Sequence, residues 1–227
     1  MRTYGQYCPI ARASEILAER WTPLVIRNLM FGADTFSAIS QGVPSMSRSM
    51  LVTRLKELEH AGIVTREPKP TGAGSRYFLT AAGQDLAGVL ETMAAWGERW
   101  AEIETDHTDP GFALWAWCTA QLNRDALPAQ RVVVVFRFVD QPPAHRTYWL
   151  LAENRDAHLC YTDPGGEPAL YVEAQTRCFL EWHRGQLSWS RALKSHGITV
   201  SGDPTLAANL PRWNAREPRW ATPPARS

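Results

Sequence analysis

PSMSRSMLVTRLKELEHAGI, residues 44–63, is the stretch whose reading decides the fold of the first half of the chain. Leu51, Leu55 and Leu58 recur at the four-then-three spacing of one helix face, and Gly62 stands where a helix should stop. At about 100° per residue the opposite face carries Ser49, Thr53, Lys56 and His60, with Arg48 and Arg54 on its flanks. Small hydroxyls and long cations on a well-anchored helix suit the major groove of DNA, where they meet base edges and phosphates. A solvated amphipathic helix would show the same periodicity, so the flanking sequence has to decide.

Upstream, Cys8-Pro9 opens a helix with Ile10, Ala13, Ile16 and Leu17 as its apolar face. A second helix is expected from Thr22 to Met30, burying Leu24, Val25, Ile26 and Leu29. Thr35 or Ser37 caps a third, short helix that Gly42 closes, and Ser47 caps the helix of the opening stretch. Helix, tight turn and helix with an outward polar face make a helix-turn-helix. Downstream, 63–67 and 75–80 read as strands around the loop Pro68–Gly74. They form a basic hairpin, a wing, with Lys69 at its tip and Arg76 on the returning strand. Thr80 then caps a long helix, with a stripe of Leu86, Leu90, Met93, Trp96 or Gly97, Trp100 and Ile103 that suits a dimer interface, docking against the second domain being the competing reading.

Composition sets the outer limits. A chain of 227 residues suits two modest domains, and 44% hydrophobic with 21% charged residues is ordinary for a globular protein. Arg137 interrupts the longest apolar run, VVVVFRFV, well short of a membrane span, and the N-terminus lacks a leader pattern. A cytoplasmic location follows as the expectation. Cys8, Cys118, Cys160 and Cys178 lie far apart with no CxxC pair, so free thiols are expected. Net charge is only +1, yet residues 44–80 hold six Lys/Arg against three acids, and a local excess is what phosphate contact requires. No GxSxG, HExxH or GxGxxG motif occurs, the six histidines lack metal-ligand spacing, and Glu181 and His183 point to different sides of a helix. No catalytic residue, metal or cofactor is expected.

In the second half, the polar segment 105–111 marks a boundary between domains 1–105 and 106–227. An apolar helix is expected from Phe112 to Leu127, then strands at 131–139, 147–152, 158–161 and 169–174. Helices at 176–185 and 187–195, a strand at 197–202 and a helix at 204–213 complete an α+β domain. The Pro-rich tail AREPRWATPPARS is expected to fray.

Taken together, CPIARASEILAERWTPLVIRNLMFG, FSAI, SRSMLVTRLKELEHAGIVTRE, RYFLTAAGQDL and WGERW, in that order, resemble the HxlR family of bacterial transcriptional regulators, which are similar to the MarR type of winged-helix protein. The resemblance covers residues 5–105 and implies a dimer, with helix 47–61 in the major groove and hairpin 63–80 as the wing. Ser47, Arg48, Ser49, Thr53, Arg54, Lys56, Lys69 and Arg76 are then the candidate DNA contacts. Arg76 departs from the family pattern, which commonly places an acid there. Some relatives use a cysteine at the position of Cys8 as an oxidant or electrophile sensor. A thiol at a helix N-terminus, with Arg12 one turn on, has the physics for that role.

From Val132 to Trp213 the pattern resembles the sterol carrier protein fold, carried mainly by QTRCFLEWHRGQLSWSRALKSHGITVSGDPTLAANLPRW. That resemblance implies an apolar pocket for a small or lipid-like ligand, with Phe136, Trp149, Trp182 and Trp189 as candidate walls; plain core is the competing reading of each. The expected protein is a dimeric, DNA-binding regulator, a repressor of a double-stranded operator, controlled by a small molecule or by thiol modification. The alternative is a lipid or small-molecule binding protein that uses its winged helix for dimerisation or docking.

Overall fold

The computed structural model describes residues 3–102 and 108–215, which divide into two compact units at that gap. The expectations for Ile103, for 105–107 of the boundary segment and for the tail from Arg216 onward lie outside the described residues.

The first unit runs α1 (Pro9–Leu17), α2 (Thr22–Met30), α3 (Phe36–Gln41), α4 (Arg48–His60), β1 (Val64–Pro68), β2 (Ser75–Leu79), α5 (Ala81–Asp85) and α6 (Ala87–Trp100). Its core gathers Val25, Ile26, Leu29, Ile39, Leu51, Leu55, Leu58, Val64, Leu79 and Leu90. Serine and threonine hydroxyls start three of the helices: Thr35 accepts from the Ala38 amide at 3.3 Å, Ser47 from Met50 at 3.3 Å and Thr80 from Gly83 at 3.2 Å. β1 and β2 pair antiparallel, with Val64 opposite Leu79 and Pro68 opposite Ser75.

Three features of this unit differ from the sequence expectation. The long helix after Thr80 is interrupted at Leu86, which separates α5 from α6. Gly83 in α5 presses on the strand end, where a Cβ would stand 2.4 Å from the Ile63 carbonyl oxygen. α1 buries none of its residues fully: Ile10 is 78% exposed, Ala13 is also exposed, and only Ile16 and Leu17 pack against the core. In α2, Leu24 faces outward while Asn28 takes a place in the core. The Asn28 amide donates to the Ile39 carbonyl at 2.8 Å, and Arg27 Nη2 donates to the Gly42 carbonyl at 2.7 Å. A helix end leaves its last carbonyls without helical partners, and these two side chains of α2 satisfy two of them at the end of α3. Burial pulls the Arg27 guanidinium down to about 10, still charged at neutral pH.

The second unit runs α7 (Pro110–Ala116), a π-helical turn (Trp117–Gln121), β3 (Val132–Phe138), β4 (Thr147–Glu153), β5 (Asp156–Cys160), β6 (Leu170–Ala174), α8 (Thr176–His183), α9 (Trp189–Lys194), β7 (Ile198–Gly202) and α10 (Pro204–Asn209), with short 3-10 turns between and after them. Its strands form one mixed sheet in the order β5-β4-β3-β6-β7, in which only the β3–β6 pair is parallel. Along β6 the burial alternates strictly: Leu170, Val172 and Ala174 point to the core, while Tyr171 and Glu173 point away. Trp117, Phe136, Phe138, Phe179 and Trp182 fill the core face, with ring centroids 5.5–5.8 Å apart in the contacting pairs. The single helix expected over 112–127 ends early, because the chain widens into the π turn and then leaves helical geometry at Leu122. Gly202 and Asp203 form a joint unit. A Cβ at Gly202 would stand 2.2 Å from the Ala169 carbonyl oxygen, and Asp203 caps α10 through the amides of Thr205 and Leu206 at 2.8 and 2.9 Å.

Candidate nucleic-acid interface

Leu51, Leu55 and Leu58 seat α4 on the core, and that anchoring decides what the helix turns outward. Ser47, Arg48, Ser49, Thr53, Lys56 and His60 are exposed, together with Val52. The Ser47 and Ser49 hydroxyls lie 3.2 Å apart at the start of the helix, and Thr53 donates its hydroxyl to the Ser49 carbonyl at 3.1 Å. Both serines and Thr53 are exposed and keep accepting capacity on their hydroxyls. Arg48 lies over the Phe36 ring, 5.1 Å from its centroid, which holds the guanidinium at the rim between α3 and α4. Lys56 enters no ion pair among the described residues, so it projects as a point charge.

Arg54 differs from its neighbours. Only 11% of its side chain is accessible, and its guanidinium lies 2.7 Å from Glu57 and 3.4 Å from Glu19. The sequence reading put it on the flank of the DNA face; in the structure it ties α4 to the segment joining α1 and α2. Arg76 is likewise ion-paired, though its side chain is 41% accessible. Its Nε donates to Asp34 Oδ2 at 2.7 Å, Nη2 joins the same oxygen, and the Tyr77 amide donates to the Asp34 carbonyl at 2.7 Å. A guanidinium paired with Asp34 anchors the base of the wing to the start of α3. Lys69 sits half-buried at the wing tip with its alkyl stem over Gly74. Arg66 on β1, one of the six cations of the local basic excess but not among the candidate contacts, is exposed and its Nε donates to the Ser75 hydroxyl at 2.8 Å; Val52 on α4, also exposed, is one that sequence reasoning missed. Strand alternation carried the signal for Arg66; for Val52 the helical wheel did, since it falls beside Ser49 and Lys56.

Away from this face, the first unit leaves a second surface open. Val89, Met93, Trp96 and Trp100 of α6 are exposed, the last two at 64% and 63%, and a shallow apolar groove runs along Gly88, Val89, Thr92, Met93 and Trp96. Tyr4, Tyr7 and Ile10 add exposed apolar area before and within α1. Cys8, half-buried, precedes Pro9 as expected, but its side chain makes no capping bond. Arg12, expected to assist the thiol, pairs instead with Glu15, whose carboxyl is held below its ordinary range chiefly by the Tyr4 amide and the Thr3 hydroxyl.

The four candidate pocket residues of the second unit do not form one wall. Phe136 and Trp182 are buried in the aromatic core, and Trp189 packs against Trp182 in a tilted contact with centroids 4.7 Å apart. Trp149 pairs in register with Val135 on the opposite face of the sheet from Phe136. Buried Cys118, its thiol pushed up to about 12 by burial, is unreactive core. His183 is buried with Nδ1 2.5 Å from Gln121 Oε1, and burial pulls its imidazole down to about 4. The described residues contain no group of three or more His, Cys, Asp and Glu able to hold a metal, and no helix long and apolar enough to cross a membrane.

The model of the HxlR-like helix-turn-helix family matches residues 16–105. Among curated proteins, the chain is similar to the uncharacterized HTH-type transcriptional regulator YvaP of Bacillus subtilis (strain 168), at 36% identity over 100 residues, covering 43% of this chain and 93% of that protein. It is similar also to the HTH-type transcriptional regulator YodB of the same organism, at 39% identity over 97 residues, 42% of this chain and 87% of that one. Among solved structures, the reduced form of YodB aligns at 36% identity with a TM-score of 0.38, covering 43% of this chain and 97% of that chain.

Proposed function

This chain belongs to the HxlR-like helix-turn-helix family, and from that premise we propose that it is a dimeric, sequence-specific regulator of transcription, a repressor, whose α4 enters the major groove of a double-stranded operator. The observation that carries the reading is the outer face of α4: hydroxyls and cations face outward on a helix that Arg54 and three leucines hold in place. Ser47, Ser49 and Thr53 supply short contacts; Arg48, Lys56, Lys69 and Arg66 supply charge. Arg54 and Arg76 act as positioning residues, through Glu19, Glu57 and Asp34. Two copies joined along α6 would bring two such helices to half-sites about one DNA turn apart. The exposed Trp96 and Trp100 support that seam, because aromatics left in water on a monomer are favoured at interfaces.

Control belongs to the same proposal. A ligand that binds two conformers unequally shifts the spacing of the recognition helices, and so shifts operator occupancy. The sterol-carrier-like reading makes the second unit the place for a small apolar ligand, at a site other than a wall shared by Phe136, Trp149, Trp182 and Trp189; modification of Cys8 is the thiol route. Alkylation of Cys8 against pH tests the latter, and a rate that rises only through the ordinary thiol range removes it.

The test of the main reading is titration of the full chain, by gel shift, against DNA from upstream of its own gene at increasing salt. Sequence-preferring binding is expected, with a steep negative salt slope that falls by about one when Lys56 is replaced by Ala. Weak, salt-insensitive binding would instead favour a small-molecule binding protein that uses its winged helix for docking.

A further inference from the structure

Val52 is 42% exposed on the face of α4 that otherwise carries hydroxyls and cations. On a helix its surface neighbours are the residues three and four positions away. Three of the four, Arg48, Ser49 and Lys56, are exposed and polar, and the fourth, Leu55, is buried, so Val52 is an exposed aliphatic point edged by a polar ring on its outward side. The core does not account for it, because Leu51, Leu55 and Leu58 carry the seating of the helix. Helix propensity does not account for it either, since a β-branched residue at a solvated helix position is poorer than alanine, lysine or glutamate.

In the major groove, one feature of the base edges is apolar: the 5-methyl group of thymine. We propose that Val52 is a specificity-determining residue that reads a thymine methyl in each half-site, an inference that rests on the reading of α4 as the groove-entering helix. The branched side chain presents two methyl groups on a stem that its own backbone holds stiff at χ1, so the contact is placed without ordering a long chain. Ser49 and Lys56 then engage the polar edges and phosphates on either side. Met50, also exposed on α4, lies two residues away and so about 200° around the helix, outside this ring.

The experiment uses the full chain and duplexes enriched by it from a randomised library. Each thymine of an enriched duplex is replaced, one at a time, by deoxyuridine, which lacks only the methyl group. One thymine position per half-site is expected to lose roughly fourfold in affinity, the worth of one buried methyl group, and V52A is expected to bind thymine and deoxyuridine there equally. Indifference of the wild-type chain to every deoxyuridine, while it still separates the enriched duplex from a scrambled one, overturns the assignment and leaves the DNA-reading function standing. A deoxyuridine penalty that persists unchanged in V52A also overturns it, since the methyl then meets another residue. If no duplex enriches and binding lacks salt dependence, the function itself falls, and the role of Val52 with it.

Discussion

The two units use their aromatic residues in opposite ways. In the second, Trp117, Trp182 and Trp213 are buried and the phenylalanines of β3 and α8 close the space between them. In the first, Trp96 and Trp100 stand in solvent on α6, and α1 buries nothing fully. Leu90 seats α6 in its own unit while Val89, Met93, Trp96 and Trp100 stay open, a face suited to a partner, whereas the sheet of the second unit has its core face filled. The second unit therefore has a stability of its own, and the first is expected to gain part of its stability on assembly.

Breaking the self-sufficient core should give the largest effect. Phe179→Ala removes a ring that touches Trp117, Phe136, Phe138 and Trp182, and should destabilise the second unit by about 4 kcal/mol, read as a lowered midpoint in urea. DNA binding by the first unit should persist at urea concentrations where the second has unfolded.

Next comes pH. The imidazole of His183 is pulled down from its ordinary value of 6.5 to about 4 in the folded protein, so the unfolded chain binds the extra proton more readily. Stability from this group is fully present above pH 6.5 and is lost as the pH falls towards 4, by about 3 kcal/mol in all. His183→Gln should flatten that limb of the denaturation profile; an unchanged acid limb would assign it to carboxylates.

On the other side of the comparison, Trp96→Ala should weaken self-association by about 2 kcal/mol, roughly 30-fold, in sedimentation equilibrium, and leave the urea midpoint of the second unit where it was. A chain that is monomeric with either residue would remove the seam along α6. The smallest effect belongs to a cap. Asp140, from the loop after β3, accepts from the Thr176 amide at 3.0 Å and from its hydroxyl at 2.8 Å, so Asp140→Ala should cost the second unit about 1 kcal/mol.

The elements that sequence reading located best are those specified within a few residues. α4 was legible from its leucine spacing and its Ser47 cap, and the wing from a Pro/Gly-rich loop between two short runs. The interruption at Leu86 was not, because the apolar stripe of Leu86, Leu90 and Met93 runs in phase with a helix continued from Thr80. Charged residues were the hardest to place. Arg76 meets Asp34 across 42 positions and Arg54 meets Glu19 across 35, so neither contact shows in a strand pattern or a helical wheel, although the wheel does place Glu57 three residues from Arg54. The outer face of α4 was legible as polar, and the same wheel places Val52 beside Ser49 and Lys56, away from Leu51 and Leu58.

Arg27 and Asn28 hold the end of α3 through main-chain carbonyls, which every amino acid supplies. No substitution further along α4 can delete those acceptors. A lineage carrying this clamp can exchange residues 49, 52, 53 and 56 and acquire a new target sequence while the turn that aims the helix stays put. The scaffold is thereby insulated from the evolution of what it recognises.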